Sequence, residues 1–168
     1  MKLLIYGHKS DKLNLLSAYH FLDYTLDIDP LLDEYDGFIN FRLKHQLKVL
    51  QNVFDKWHNQ NKIIINIGSR SKYANLSKGY YYSSQKAALS HMSNNMRFLS
   101  NKQCRIIDIN PGLINSSLPS ISWDDVSNAI IWILSLPDHI EVGELSIWDK
   151  TSYNILSSMK TNKSLTLK

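Results

Sequence analysis

The sequence predicts an α/β fold in which a mostly parallel sheet lies between two layers of helices. Short apolar runs of about five residues alternate with longer segments of helical periodicity. The most continuous of these runs are residues 2–6, 63–67 and 105–109. Runs that are largely apolar are typical of strands buried on both faces, as in parallel sheets. Their alternation with helices predicts βαβ units.

Three short elements are predicted at the start of the chain. Lys2 to Tyr6 is apolar enough to form a buried strand, which ends at Gly7. Asp11 to Tyr19 has apolar residues at helical spacing, which predicts a short helix with Asp11 as its cap. Phe21 to Ile28 alternates sufficiently to predict a second strand.

One long helix separates the third and fourth predicted strands. The second strand ends at Asp29-Pro30, where a short helix through Glu34 is expected to begin. Asp36 to Phe41 predicts either a third strand or the start of the long helix, and Lys62 to Ile67 predicts the next buried strand. The long helix is amphipathic, with a core or interface stripe formed by Leu43, Leu47, Leu50, Phe54 and Trp57.

The C-terminal half repeats the alternation of helix and strand twice. The apolar residues of its first helix are expected to pack in the core. The predicted elements are a helix from about Tyr82 to Leu99, a strand from Arg105 to Ile109, a helix from Val126 to Leu136 opened by Asp124 or Asp125, and a strand from Gly143 to Trp148.

Length and composition predict one globular domain. The 168 residues divide into a single domain at 1–150 and a polar, basic tail at 151–168. Hydrophobic residues make up 43% of the chain and charged residues 20%, as in folded proteins. No apolar run reaches the roughly 20 residues of a membrane span, and the apolar start is too short for a signal peptide. We therefore expect a cytoplasmic protein that does not contact membranes.

Charge and metal-ligating residues argue against two further classes of function. The net charge is +4, but the lysines are scattered and form no basic helix face, so no nucleic-acid partner is predicted. The six histidines include no HxxxH pair, so no metal site is predicted. Cys104 is the only cysteine, which excludes an intrachain disulfide, and its place at the head of an apolar run predicts a buried thiol.

Tyr82 and Lys86 form the motif with the clearest chemical meaning. Their spacing of four places both side chains on one face of a helix, one turn apart. A nearby ammonium favours the phenolate form of a tyrosine, as general acid/base catalysis near neutral pH requires. Ser69, which follows the preceding strand, is placed to hydrogen-bond the same substrate oxygen. Tyrosine and lysine at this spacing are also common in ordinary helices. The surrounding sequence must therefore indicate whether this pair is catalytic.

That surrounding pattern resembles the short-chain dehydrogenase/reductase family. A buried strand ends at Gly68-Ser69, Tyr82 follows thirteen residues later, and Asn110-Pro111-Gly112 follows the next strand. The resemblance covers about residues 3–148, with a deletion before residue 36, and it is strongest from 62 to 116. It implies a Rossmann-like three-layer sandwich that is shortened in its nucleotide-binding half.

The resemblance also implies a site and a cofactor, NADP or NAD. Ser69, Tyr82 and Lys86 would be the catalytic residues, with Ser69 orienting a carbonyl, Tyr82 donating a proton and Lys86 supporting Tyr82 and the nicotinamide ribose. The cofactor would be bound by Gly7, Tyr82, Lys86, Pro111, Gly112, Ile114 and Ser116. The reaction implied is the interconversion of a carbonyl and an alcohol on a small substrate.

The chain departs from the family pattern in two places, the loop after the first strand and the relay position. The glycine-rich loop after the first strand retains only Gly7, because Asp11 and Leu13 stand where the family has its later glycines. Compensating donors and charge are available from His8, Lys9, Ser10 and Lys12. Where the family usually has an asparagine in its proton relay, this chain has Arg42, and a guanidinium cannot accept a hydrogen bond. Asn40 is the alternative for that role.

These departures leave other functions open. The chain is either an oxidoreductase or a pseudoenzyme that has lost dinucleotide binding and acts as an oligomerising or partner-binding module. A third alternative is an epimerase or dehydratase that uses the same residues. In each case the helices at 43–57 and 82–99 resemble the pair through which family members form homodimers or homotetramers.

Overall fold

The computed structural model describes residues 1–73 and 79–152, and it confirms the predicted α/β fold. Six strands form one sheet in the order β2-β1-β3-β4-β5-β6, and every neighbouring pair is parallel. The strands are β1 Lys2–Tyr6, β2 Phe21–Thr25, β3 Gly37–Asn40, β4 Ile63–Ile67, β5 Arg105–Pro111 and β6 Glu144–Ile147.

Helices cover both faces of the sheet. The long helices α1 (Gln46–Trp57) and α2 (Tyr80–Arg97) pack on one face, together with Leu4, Phe38 and other residues of alternate strand positions. The helix α3 (Trp123–Leu134) and a 3-10 helix at Asp11–Ala18 pack on the other face. Because successive side chains of a strand point to opposite faces, the apolar runs supply both hydrophobic cores.

The start of helix α3 follows capping chemistry more closely than periodicity. Helix α3 begins after Ser122, whose hydroxyl accepts a hydrogen bond from the Asp125 backbone N–H at 3.1 Å. The Asp125 carboxylate accepts in return from the Ser122 backbone N–H at 2.8 Å, which completes a capping box. Asp125 therefore helps to open the helix, as expected, but the N-cap itself is Ser122.

The N-terminal third differs from the prediction in two helices. The segment Asp11–Ala18 is a 3-10 helix with a break at Leu13, and Ser10, not Asp11, occupies the cap position. The expected helix from Asp29 to Glu34 does not form. Lys56 of α1 instead donates from its Nζ to the Pro30 carbonyl at 2.8 Å. This contact satisfies a backbone carbonyl without an internal helical bond.

The predicted shortening of the fold lies between β2 and β3. Residues 26–36 join these strands without a helix or a further strand, so β2 is an edge of the sheet. The segment from Asp36 to Phe41, which allowed either a strand or a helix, forms β3. The strand order reverses between β1 and β3, and ligands of open α/β sheets bind beyond the carboxyl ends of the strands at such a point.

No helix in residues 1–73 and 79–152 is long and apolar enough to cross a membrane. Within the same residues, no group of three or more histidine, cysteine or acidic side chains is arranged to hold a metal ion. Most of the predicted basic tail, residues 153–168, lies outside the described residues, and the domain boundary at residue 150 stays a prediction.

The buried thiol of Cys104 gives a direct test of this packing. Burial removes Cys104 from solvent and raises its pKa to about 11, so the reactive thiolate is scarce at pH 8. We expect the folded chain to resist a thiol reagent at pH 8, and the unfolded chain to react with one equivalent. Full labelling of the folded chain at the rate of the unfolded chain would contradict this packing.

Candidate active site

The predicted catalytic residues lie at the carboxyl end of β4. Ser69 lies two residues past the end of this strand, while Tyr82 and Lys86 lie on the first two turns of α2. The Lys86 ammonium donates a hydrogen bond to the Ile67 carbonyl at 2.6 Å and lies 5.8 Å from the centroid of the Tyr82 ring. The structure therefore brings Tyr82 and Lys86 together and places both beside the strand that leads to Ser69.

Tyr82 and Lys86 differ sharply in their exposure. The Tyr82 side chain is 39% exposed and open to a ligand, whereas Lys86 is only 4% exposed. Burial disfavours the charged form and lowers the Lys86 pKa to about 8, although the negative charge of Asp108 acts in the opposite direction. An ammonium in this position needs acceptors inside the protein.

Gln46 supplies one of these acceptors, and the sequence motifs did not identify it. Its Oε1 accepts from Lys86 Nζ at 2.9 Å, while its Nε2 donates to the carbonyls of Asn40 at 2.7 Å and Ile67 at 3.1 Å. Gln46 is buried at the first position of α1. The available signal was its helical spacing, because Gln46 falls on the same face as Leu50 and is the one polar residue of that stripe.

A row of polar side chains crosses the sheet next to Gln46. Asn40, Asn66 and Asp108 are register partners on β3, β4 and β5, and all three are buried. Asn40 Nδ2 donates to Asn66 Oδ1 at 3.0 Å and to the Gln46 carbonyl at 2.9 Å. Asn66 Nδ2 continues the row by donating to Asp108 Oδ1 at 2.9 Å. We call these three residues the polar row.

An ion pair closes the polar row on β5. Arg97 at the end of α2 lies 2.9 Å from the Asp108 carboxylate, and both side chains are almost fully buried. Burial raises the Asp108 pKa, an effect that the guanidinium of Arg97 opposes. Continuous hydrogen bonds therefore connect the Asp108 and Arg97 pair to the ammonium of Lys86.

Neither candidate for the relay position contacts Lys86. Asn40 belongs to the polar row, and Gln46 lies between it and the ammonium. Arg42 is half-buried beside Gly7, and its backbone N–H donates to the Tyr6 carbonyl at 2.8 Å. In this chain the contact with the lysine is made by Gln46, one turn further along.

Ser69 is held by its own turn. Its Oγ accepts from the Ser71 backbone N–H at 3.1 Å and lies 2.7 Å from the Ser71 hydroxyl. These contacts make Ser69 the cap of a short 3-10 turn, Arg70–Lys72. Ser69 is therefore ordered at the mouth of the site, but the structure shows no contact between its hydroxyl and Tyr82.

A second polar cluster fixes the turn that follows Ser69. Lys72 is almost fully buried and forms an ion pair with Glu144 of β6, and its Nζ donates to the Ser90 hydroxyl at 2.9 Å. Glu144 also accepts from Asn110 Nδ2 at 2.9 Å. The Asn110 side chain requires a glycine at position 68, because a Cβ there would lie 2.1 Å from Asn110 Oδ1. The cluster therefore joins β4, β5, β6 and α2 behind the site.

The expected nicotinamide side is formed where β5 ends. Pro111 is buried, and the Gly112 N–H donates to the Ile147 carbonyl of β6 at 2.8 Å. Ile114 pairs with Ile121 in an isolated parallel bridge, which shapes the loop that follows. The Ser116 hydroxyl accepts from the Leu118 N–H at 3.2 Å within that loop. These residues lie at the same edge of the sheet as Ser69, as the resemblance implies.

The expected phosphate side is built differently from a glycine-rich loop. Leu13 is 2% exposed and packs in the core, so it cannot serve as an open backbone position. Lys12 lies over the Trp123 ring, 5.3 Å from its centroid, in a cleft of about 320 Å³ that Asp11 and Asp124 also line. Two carboxylates and one lysine make a poor site for a pyrophosphate.

The residues present therefore fit one half of a dinucleotide and not the other. Around Lys86, Tyr82 and Pro111-Gly112, hydroxyl-binding and backbone groups suit a ribose and a nicotinamide. Around Gly7, a single glycine remains, and a Cβ there would meet the Phe41 ring at 3.2 Å. The first half matches the expected cofactor, whereas the second lacks the usual means of binding phosphates.

Known proteins with related sequences are oxidoreductases of undefined activity. The chain is 25% identical over 130 residues to an uncharacterised oxidoreductase of Staphylococcus aureus, covering 71% of this chain and 56% of the relative. It is 26% identical over 127 residues to another from Staphylococcus saprophyticus, covering 69% and 54%. The chain thus spans about half the length of the curated relatives it matches. No protein-family model matches it.

Solved structures with the same fold are dehydrogenases and reductases. Serine dehydrogenase from Escherichia coli is 20% identical with a TM-score of 0.65, covering 90% of this chain and 99% of that chain. A 3-ketoacyl-(acyl-carrier-protein) reductase from Brucella melitensis, solved with NADH, is 12% identical with a TM-score of 0.69, covering 87% and 96%. These neighbours confirm that the chain has the fold of the short-chain dehydrogenases/reductases, in a shortened form.

The polar row gives a prediction about stability. Replacing Asn66 with alanine should lower the free energy of unfolding by about 2–4 kcal/mol, because it removes three buried hydrogen bonds, one of them to the Asp108 carboxylate. Urea unfolding measures the loss. Asn52→Ala is the control, since Asn52 makes one exposed contact with the Ile28 carbonyl and should cost less than about 1 kcal/mol. Equal losses in the two variants would refute a structural role for the row.

Proposed function

We propose that this chain, which has the short-chain dehydrogenase/reductase fold, is an NAD(P)(H)-dependent oxidoreductase that interconverts a carbonyl and an alcohol on a small molecule. The observation that supports this function most is the buried Lys86 ammonium beside the exposed Tyr82. Burying a cation is unfavourable, and a helix would not retain one on its inner face for packing alone. The relatives are named oxidoreductases, and one structural neighbour, the closed form of serine dehydrogenase, was solved with NADP+.

Tyr82 is the proton donor in the direction of reduction. Its phenol O–H transfers a proton to the substrate oxygen as the carbonyl becomes an alcohol, and the phenolate remains on Tyr82. The reverse reaction returns the proton from the alcohol to the phenolate. In this proposal the positive charge of the buried Lys86 stabilises the phenolate on Tyr82.

Ser69 positions the substrate oxygen in this proposal. Its hydroxyl contacts the Ser71 hydroxyl, and a hydroxyl can turn to donate to a carbonyl without moving the backbone. The ion pair of Lys72 with Glu144 holds the turn against the sheet, so Ser69 stays in place while its hydroxyl turns.

The dinucleotide would be bound mainly through its nicotinamide half. When bound, the nicotinamide supplies or accepts a hydride. Lys86 and Tyr82 would bind the ribose, and the turn at Pro111-Gly112 with Ile114 and Ser116 would bind the carboxamide side. Gly7 would lie near the phosphates, with Lys9 and Lys12 as the nearby cations in sequence.

A second candidate function follows from the phosphate side. With Leu13 in the core and two carboxylates in the cleft, the chain would act as a partner-binding module that has lost dinucleotide binding. The two functions differ in one property, which is whether a reduced nicotinamide dinucleotide binds at all.

We also propose self-association through α1 and α2. Ala87 and Ala88 are exposed on the outer face of α2 and allow close approach of another helix, and Phe98 at its end is 87% exposed. A homodimer or homotetramer that uses helices 43–57 and 82–99 would cover these residues. A cytoplasmic location stays a prediction from the sequence.

Replacing Tyr82 with phenylalanine tests the chemical role directly. We expect turnover with NADPH or NADH and a panel of small aldehydes and ketones to fall about 10²–10⁴-fold, because the variant lacks the proton donor. Absorbance of the reduced nicotinamide measures turnover.

Tyr81→Phe is the matched control, since Tyr81 is the preceding residue and is 79% exposed. It should leave turnover unchanged. Wild-type turnover in Tyr82→Phe would remove Tyr82 from the mechanism.

A further inference from the structure

Gln46 is the only neutral side chain among the described residues that binds the ammonium of Lys86. We propose that Gln46 is a positioning residue that, together with the polar row, fixes the Lys86 ammonium beside Tyr82. The inference rests on the proposed function for its consequence in catalysis. The positioning of Lys86 by Gln46 does not depend on the proposed function, because the hydrogen bonds between them are present whether or not the protein is an oxidoreductase.

The partners of Gln46 determine the orientation of its amide. The Nε2 group lies within hydrogen-bond distance of two backbone carbonyls, Asn40 and Ile67, which can only accept. Lys86 Nζ can only donate, so the oxygen must face the ammonium. A flipped amide would leave all three contacts unfavourable. A glutamine amide has two N–H donors and one acceptor oxygen. It therefore matches its partners here, which are two carbonyl acceptors and one ammonium donor.

The same contacts restrict the ammonium of Lys86. An ammonium has three N–H donors, and Gln46 with the Ile67 carbonyl accepts two of them. The third N–H group has no acceptor among the described residues. It is therefore available to a ligand hydroxyl. Without Gln46, the flexible lysine side chain could rotate its ammonium away from Tyr82.

Charge compensation for Lys86 comes from the far end of the polar row. The titratable groups that face Lys86 are Tyr82 on its own helix and Asp108 on β5, while α1 contributes the neutral Gln46. Asp108 is shared with Arg97, so its charge is only partly available to Lys86. The identity of the side chain at position 46 should consequently have a large influence on the protonation of Lys86.

Titration of Lys86 by NMR tests the proposal without any need for turnover. In protein labelled with ¹³C at the lysine ε-carbons, the Lys86 signal is the one that disappears in Lys86→Arg. We expect its midpoint near pH 8 in the wild type, clearly below that of an ordinary lysine. Gln46→Glu should raise the midpoint by about one pH unit or more, because it places a carboxylate against the ammonium. Gln46→Met should lower it, because an acceptor is lost.

Gln51→Met is the matched control on the same helix, where Gln51 binds only Asp55 and should leave the Lys86 midpoint unchanged. A shift of less than 0.2 pH units, on the order of the measurement error, in both Gln46 variants would overturn the proposal. If Gln46→Met fails to fold by circular dichroism, Gln46→Glu, which has the same size, decides the result alone.

The activity of the variants separates this inference from the proposed function. If the chain is an oxidoreductase, the pH profile of kcat should move in the same direction as the Lys86 midpoint. If the Lys86 midpoint moves but neither the wild type nor any variant turns over substrate, Gln46 still positions Lys86 and the proposed function is wrong.

Discussion

The structure around the candidate site depends on one buried positive charge. Lys86 enters the protein from the inner face of α2, and its ammonium is acceptable there only because Ile67 and Gln46 provide acceptors. Each acceptor depends on the position of a backbone element. The Ile67 carbonyl at the end of β4 must point at α2, and α1 must begin at Gln46. The positions of both helices relative to the sheet are therefore tied to the placement of a single side chain.

The polar row extends the same requirement across the sheet. Polar side chains at matching positions of three adjacent strands donate to one another and end on the ion pair of Asp108 with Arg97. A shift of the strands by one residue would separate these side chains, so the polar row also favours the observed strand register. The support of the site and the specificity of the fold thus come from the same hydrogen bonds. By contrast, the phosphate side has no comparable network, and Leu13 simply adds to the hydrophobic core.

The sequence predicts the sheet and the proximity of Tyr82 and Lys86 well, because both depend on short-range patterns. Apolar runs identify β1, β4 and β5, and a spacing of four along a helix requires the tyrosine and lysine to be neighbours. The helix expected at Asp29 to Glu34 was wrong, and in its place a side chain of α1 that is distant in sequence, Lys56, binds the Pro30 carbonyl. Gln46 was missed for a related reason, since its role is created by contacts 21 and 40 residues away.

The proposed oxidoreductase function requires the nicotinamide half of the site to bind a reduced dinucleotide. Saturation-transfer difference NMR with NADPH and NADH tests it, because it reports which protons of the ligand contact the protein. We expect strong saturation of the nicotinamide and adjoining ribose protons, weaker saturation of the adenine, and loss of the nicotinamide signal when Lys86 is replaced by methionine. No saturation at millimolar concentrations of either cofactor, or saturation confined to the adenine, would contradict the claim and favour a partner-binding module.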